Sequence, residues 1–233
     1  MNQFHYQNIL SDISEGKKSL AILIDPDKFS TSDTAFFLQQ LPTKTTHLFV
    51  GGSTDANGHT EATVKALKNH SQLPIILFPG DHTQITKFAD AILFLSLLSG
   101  RNPEYLVGQQ LKAVEKLKES KLEVIPTGYI LVDGGTESAV ARVSNTKPLS
   151  QDAVLTIVHT AIAGEFMGAK LIYLEAGSGA INPVKPQIIS EVKKAINIPL
   201  IVGGGIKTEA QKQAAYKAGA DLIVMGTAFE KKL

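Results

Sequence analysis

The sequence predicts an α/β protein, a (β/α)8 barrel of eight parallel strands ringed by helices. Three observations predict it. Eight short apolar runs recur along the 233 residues, each ending near Gly, Asp or Ser and followed by an amphipathic stretch. Apolar strand cores alternating with helices mean parallel strands covered on their outer side. Eight such units suit a closed barrel, which runs to roughly 250 residues as one domain, better than an open doubly wound sheet. Finally, the last three runs end in glycine, where barrels frequently hold phosphate. No longer repeat and no linker is visible, so residues 1–233 read as one domain.

The first run, residues 20–24, ends in Asp25-Pro26-Asp27, and a helix is expected over 32–41 with Ser32 or Asp33 as N-cap. The second, 47–50, ends in Gly51-Gly52-Ser53-Thr54 and leads to a helix over 60–69. The third, 74–78, ends in Pro79-Gly80-Asp81, and only a short helical piece near 84–88 fits before the next strand. The fourth, 91–95, leads to Ser99-Gly100-Arg101-Asn102, and Pro103 suits the first turn of a long helix reaching 119. The fifth, 123–132, is rich in β-branched residues and interrupted by Pro126-Thr127-Gly128. Its long polar connection, 133–150, has a length that is usually functional or partly structured, and a helix over 151–167 follows. The sixth, 171–174, runs into Glu175-Ala176-Gly177-Ser178-Gly179 and a helix over 185–196. The seventh, 199–202, ends in Gly203-Gly204-Gly205, and its helix over 208–218 closes on Gly219. The eighth, 222–225, ends in Gly226-Thr227, leaving 228–233 as the stub of a last helix.

Hydrophobic residues make up 43% and charged residues 19%, enough for a large core and against disorder. The net charge is +1, so no global field draws nucleic acid, and any anion site must be local. The absence of cysteine excludes a disulfide scaffold, thiolate metal sites and a Cys nucleophile. Residues 1–11 are polar and mixed, without the apolar core of a signal peptide. The greasy stretch 91–98 is far short of the ~20 residues a membrane helix needs. A soluble cytoplasmic protein is expected, with at most peripheral membrane contact.

Chemistry in such barrels gathers at the C-terminal ends of the strands. Gly177-Ser178-Gly179, Gly203-Gly204-Gly205 and Gly226-Thr227 would converge there. Glycine lets backbone N–H groups approach a phosphate, and short helix N-termini would add a favourable dipole. One such turn is plain turn chemistry, but three on consecutive strands point to a phosphorylated ligand. Asp25, after the first strand, is a candidate Mg²⁺ ligand or a turn starter. Ser53 offers a hydroxyl beside it, or only turn chemistry. Glu175, between its strand and the glycine loop, is either a base acting on a hydroxyl of the ligand or a salt-bridged rim residue. Tyr129 and Tyr173 are as consistent with packing as with ligand contact. The six histidines show no metal spacing, and no Lys sits on a strand core to form a Schiff base. The apolar run through residue 98 is either core or the start of a greasy groove at the barrel mouth.

Ile24-Asp25-Pro26-Asp27-Lys28, Gly51-Gly52-Ser53, residues 97–103, Tyr173-Leu174-Glu175-Ala176-Gly177-Ser178-Gly179, 202–206 and 224–227 together resemble the geranylgeranylglyceryl phosphate synthases, a family with related bacterial heptaprenylglyceryl phosphate synthases. The likeness covers nearly the whole chain in order, and the Tyr173 to Gly179 stretch is its most specific part. It implies a modified TIM barrel with the third helix short or missing. It also implies an Mg²⁺-dependent prenyltransferase of ether-lipid biosynthesis. That enzyme joins the C3 hydroxyl of sn-glycerol 1-phosphate to a polyprenyl diphosphate, geranylgeranyl before others, and releases diphosphate. By the same resemblance Asp25 and Ser53 hold Mg²⁺. Tyr173, Leu174, Glu175, Ala176, Gly177, Ser178, Gly179, Gly204, Gly205, Gly226 and Thr227 hold glycerol phosphate, and Glu175 is the base. A homodimer or higher homo-oligomer is implied as well. The smaller bacterial branch carries Lys two positions before the metal Asp. Leu23 stands there in this chain, which places it nearer the branch of archaeal and Bacteroidetes-like enzymes. The competing readings are a phosphosugar isomerase, epimerase or lyase on the same barrel, which would want a second acid/base group opposite Glu175, and a non-catalytic phosphate binder.

Overall fold

The structure, a computed structural model, describes residues 3–52 and 58–226. The candidate residues Ser53 and Thr227, and the stub at 228–233, lie outside the described residues.

Eight parallel strands close into a barrel in chain order. They are β1 (Ser19–Ile24), β2 (His47–Val50), β3 (Ile75–Leu77), β4 (Ala91–Leu97), β5 (Glu123–Leu131), β6 (Leu171–Glu175), β7 (Leu200–Gly203) and β8 (Leu222–Met225). β8 returns to β1 with Leu20 opposite Ile223. The helices are α1 (Phe4–Ser14), α2 (Thr34–Gln39), α3 (Thr60–His70), α4 (Gln109–Glu119), α5 (Ala139–Ser144), α6 (Val154–Phe166), α7 (Pro186–Ala195) and α8 (Glu209–Lys217).

Side chains alternate along each strand between two cores. Ala21, Phe49, Leu93, Leu171, Tyr173 and Ile201 belong to the barrel interior. Ile22, Leu48, Ile92, Ile172, Leu174 and Val202 belong to the layer between strands and helices. The same alternation turns Glu175, two residues beyond Tyr173, into the barrel mouth.

Several local expectations change. The helical piece near 84–88 does not form. Gln84 is fully buried instead, accepting from the Gly80 amide at 3.0 Å and donating to the Gly52 carbonyl at 3.2 Å. Its carboxamide stitches the β3 loop to the β2 loop, and the helix usually found after β3 is absent. The helix expected over 32–41 is a 3-10 turn, Thr31–Asp33, followed by the short α2, and the Asp33 side chain makes no capping bond. The long helix after Pro103 begins with a π-turn over Glu104–Gly108 before α4. β4 runs two residues beyond the expected end, and the connection after β5 contains α5, capped by the Ser138 side chain on the Ala141 amide. Thr208 and Gln211 form a full capping box on α8.

Helix α1 was not expected, because residues 1–11 read as polar and mixed, and it buries Tyr6 and Ile9. Tyr6 joins the interior core. The Glu123 carboxylate, at the start of β5, accepts from the amides of His5 at 2.6 Å and Tyr6 at 2.8 Å. It satisfies two orphan donors of the helix and meets the positive end of its dipole. Glu123→Ala is expected to lower stability by about 2 kcal/mol by leaving those donors unpaired. Glu123→Gln should recover part of that in the urea midpoint.

Candidate active site

One cavity of about 540 Å³ opens at the C-terminal ends of the strands. Its three parts are built by different elements.

The first part is the glycine end. Ser178, Gly204, Gly205 and Gly226 line it, together with Leu23 and Lys207. Gly204 has φ +78°, and a Cβ there would stand 2.3 Å from a Glu175 carboxylate oxygen and 2.5 Å from the Gly177 nitrogen. Only glycine allows the β7 turn to close this tightly on the β6 turn. No helix starts directly after β6 or β7, so at those two turns the donors available to an anion would be backbone amides. Of the residues expected here, Leu174 and Ala176 face the helix layer, so only their backbone can serve a ligand. Gly177 packs against Ser138 and, like Gly179, is not part of the cavity wall. The sequence reading missed Lys207, whose ammonium donates to the Ala180 carbonyl at 2.9 Å on the cavity wall. Its position two residues beyond Gly205 was the available signal. Leu23 lies against Gly226, making this part of the wall apolar rather than cationic.

The second part is the centre. Glu175 ends β6, is 6% exposed and lines the cavity. It accepts from the Gly177 amide at 2.7 Å. Burial pushes its carboxyl up to about 7, against the opposing pull of the Tyr173 hydroxyl and the Gly177 amide. No salt bridge holds it, so the reading of a paired rim carboxylate does not stand among the described residues. The Tyr173 hydroxyl is fully buried without an aligned hydrogen-bond partner. Phe78, Tyr129 and Tyr173 form a ring cluster beside it.

Across the mouth, Asp25 follows β1, lines the cavity and keeps 20% of its side chain exposed. Lys28 Nζ lies 2.9 Å from it, and the Asp27 amide donates to it at 3.1 Å. Gly52 sits against its carboxylate. No group of three or more His, Asp or Glu side chains among the described residues could hold a metal alone. One carboxylate does suit Mg²⁺ arriving with a phosphorylated ligand, because that ion takes one or two carboxylates and completes its shell with phosphate oxygens and water.

The third part is an apolar arm. Phe78, Ile85, Phe94, Leu95, Ala113 and Val140 line it. These residues come from the end of β3 and the loop after it, from β4, from α4 and from α5. Phe94, Leu95 and Leu97 of the greasy stretch, within β4, therefore line the cavity as well as pack.

The family model described as the PcrB family matches residues 11–233. A protein of Zunongwangia profunda named geranylgeranylglyceryl phosphate synthase is 59% identical over 214 residues, 92% of each chain. One of the same name from Thermococcus kodakarensis is 44% identical, covering 93% of this chain and 86% of its own. A crystal structure of (S)-3-O-geranylgeranylglyceryl phosphate synthase from Thermoplasma acidophilum in complex with substrate sn-glycerol-1-phosphate superposes with a TM-score of 0.89 at 35% identity, over 97% of this chain and 91% of that one.

Proposed function

The chain belongs to the PcrB family, and from that premise we propose that it transfers a geranylgeranyl group from its diphosphate to the C3 hydroxyl of sn-glycerol 1-phosphate. One observation carries the reading. A single cavity joins glycine turns suited to a phosphate, a buried carboxylate with its pKa near 7, and an apolar wall built from the end of β3, β4, α4 and α5. A phosphosugar isomerase has no use for the arm.

The turn amides around Gly204, Gly205 and Gly226, with Ser178 and Lys207 at the rim, would hold the glycerol phosphate. That grip points the C3 hydroxyl at Glu175. As the carbon–oxygen bond of the prenyl diphosphate breaks, its electron pair leaves with the diphosphate. A lone pair of the glycerol oxygen forms the ether bond, and Glu175 takes the released proton. Asp25, with Ser53, would hold Mg²⁺, which when bound supplies charge neutralisation to the leaving diphosphate. Lys28 adds a second cation on that side. Holding both substrates in one cavity removes orientational freedom and so contributes several kcal/mol to the rate. The arm buries the prenyl chain, at ~0.8 kcal/mol per CH₂.

The test is a product assay with labelled sn-glycerol 1-phosphate and farnesyl, geranylgeranyl or longer diphosphates, with and without EDTA. An EDTA-sensitive geranylgeranyl ether is expected. No product from any donor, with glycerol phosphate still bound, would return the chain to the isomerase or lyase reading. Ala113→Phe should fill the arm and raise the KM for geranylgeranyl diphosphate at least about tenfold, through the loss of roughly two buried CH₂ groups. Farnesyl diphosphate should be affected less. A homo-oligomer belongs to the same reading, and a strictly monomeric mass by light scattering would contradict it. No helix among the described residues is long and apolar enough to cross a membrane.

A further inference from the structure

Three rings share the floor of the barrel mouth. Phe78 follows β3, Tyr129 lies on β5 and Tyr173 on β6. Phe78 stacks on Tyr173 with centroids 5.1 Å apart and planes inclined by 24°. Tyr129 meets Tyr173 edge-on at 5.4 Å and Phe78 at 5.9 Å. All three line the cavity. The tyrosines are buried, whereas Phe78 is only partly covered and lines the cavity beside them.

Their neighbours define what the cluster meets. The Phe78 backbone is pressed against Gly51, where a Cβ would stand 1.9 Å from its carbonyl oxygen, and Gly52 beyond it touches Asp25. On the opposite side, the Tyr173 hydroxyl and a Glu175 carboxylate oxygen converge on Gly203. The ring cluster thus adjoins the Gly51–Gly52 turn that borders Asp25 on one side, and carries the Tyr173 hydroxyl beside Glu175 on the other. The carbon that changes partners has to reach both sides. While its bond to the diphosphate oxygen is breaking and the bond to the glycerol oxygen is still forming, it carries positive charge shared over the allylic system. A carboxylate or amine at that spot would capture the carbon as an ester or amine. A ring face attracts a cation within about 6 Å without forming a bond, and more strongly where water is excluded.

We propose that Phe78, held in place by Tyr173 and Tyr129, is a catalytic residue whose ring face stabilises the cationic allylic carbon in the transition state. The proposal rests on the prenyltransferase reading above. Attraction to a developing charge acts on the transition state and not on the bound substrates, so it should appear in kcat and leave binding alone.

The experiment replaces Phe78 in the full chain by 4-fluoro-, 3,5-difluoro- and 3,4,5-trifluorophenylalanine, which keep the ring's shape while draining its π face. The rate of ether formation in a single turnover is expected to fall stepwise, about tenfold over the series. The affinities for glycerol phosphate and the donor should stay constant. Phe78→Tyr should retain most of the rate, and Phe78→Leu should lose at least as much as the trifluoro variant. A rate that is flat across the fluorinated series, in a protein whose wild type makes the ether, overturns the proposal alone. A wild type that makes no ether overturns the prenyltransferase reading and this proposal with it.

Discussion

Glu175→Gln is expected to lower kcat by about 10²- to 10⁴-fold, the usual contribution of a positioned general base. Glycerol phosphate should still bind within about threefold of wild type, because the phosphate cradle belongs to other residues. Gln also keeps an acceptor for the Gly177 amide. Equal losses in kcat and binding would reassign Glu175 to substrate binding. The pH dependence gives a second readout. With its carboxyl raised to about 7 by burial, the wild type should gain kcat/KM as pH rises through about 7, and the variant should lack that limb. Stability should move the opposite way. A raised folded-state pKa means that the neutral carboxyl is tolerated and the buried carboxylate is not. The stabilising contribution is complete below the unfolded pKa near 4.5 and disappears as pH climbs through about 7. Melts of Glu175→Gln should therefore match wild type near pH 4.5 and exceed it at pH 8, by about 3 kcal/mol for a shift of this size. A variant less stable than wild type at pH 8 would show that the carboxylate is held by partners rather than strained by burial.

The barrel was legible because its signal is repetitive. Eight apolar runs leave one closed arrangement in this length, and β2 and β8 fall where the runs begin and end. That Gly204, Gly205, Gly226 and Glu175 line the cavity was legible because the barrel rule says which strand ends matter, whereas Gly177 and Gly179 fall off its wall. What escaped the sequence depends on contacts between distant segments. Helix α1 is defined by Glu123, more than a hundred residues away, and its own pattern is weak. Gln84 spends its carboxamide on Gly52 and Gly80, which no local propensity reveals. Phe78 read as the tail of an apolar strand. Only closure of the barrel brings it against Tyr129 and Tyr173. Period-two alternation along β6 places Tyr173 inside and Leu174 outside, and that count was available from sequence alone. It separates the side chains that can touch a ligand from those that only contribute backbone.

Asp25→Ala should cut turnover by at least about 10³-fold, the effect of losing several kcal/mol of charge neutralisation on a departing diphosphate. The residual rate should no longer respond to EDTA. The fold should survive, because the Asp25–Lys28 pair is partly solvent-exposed, and such pairs contribute about 0–1 kcal/mol. Lys28 makes the kinetic pattern diagnostic. Removing the carboxylate ends the Asp25–Lys28 contact, while the ammonium on that side still attracts an anionic diphosphate. Donor binding should then hold or tighten while kcat collapses. A KM that rises with kcat preserved would make Asp25 a docking residue. Full EDTA-sensitive activity in Asp25→Ala would remove it from metal binding altogether. Asp25→Asn separates charge from geometry, because the amide oxygen can still accept from the Asp27 backbone amide while the charge is lost. If charge is what the leaving group requires, Asn should be nearly as inactive as Ala. If Asp25 only shapes the turn, Asn should restore the rate.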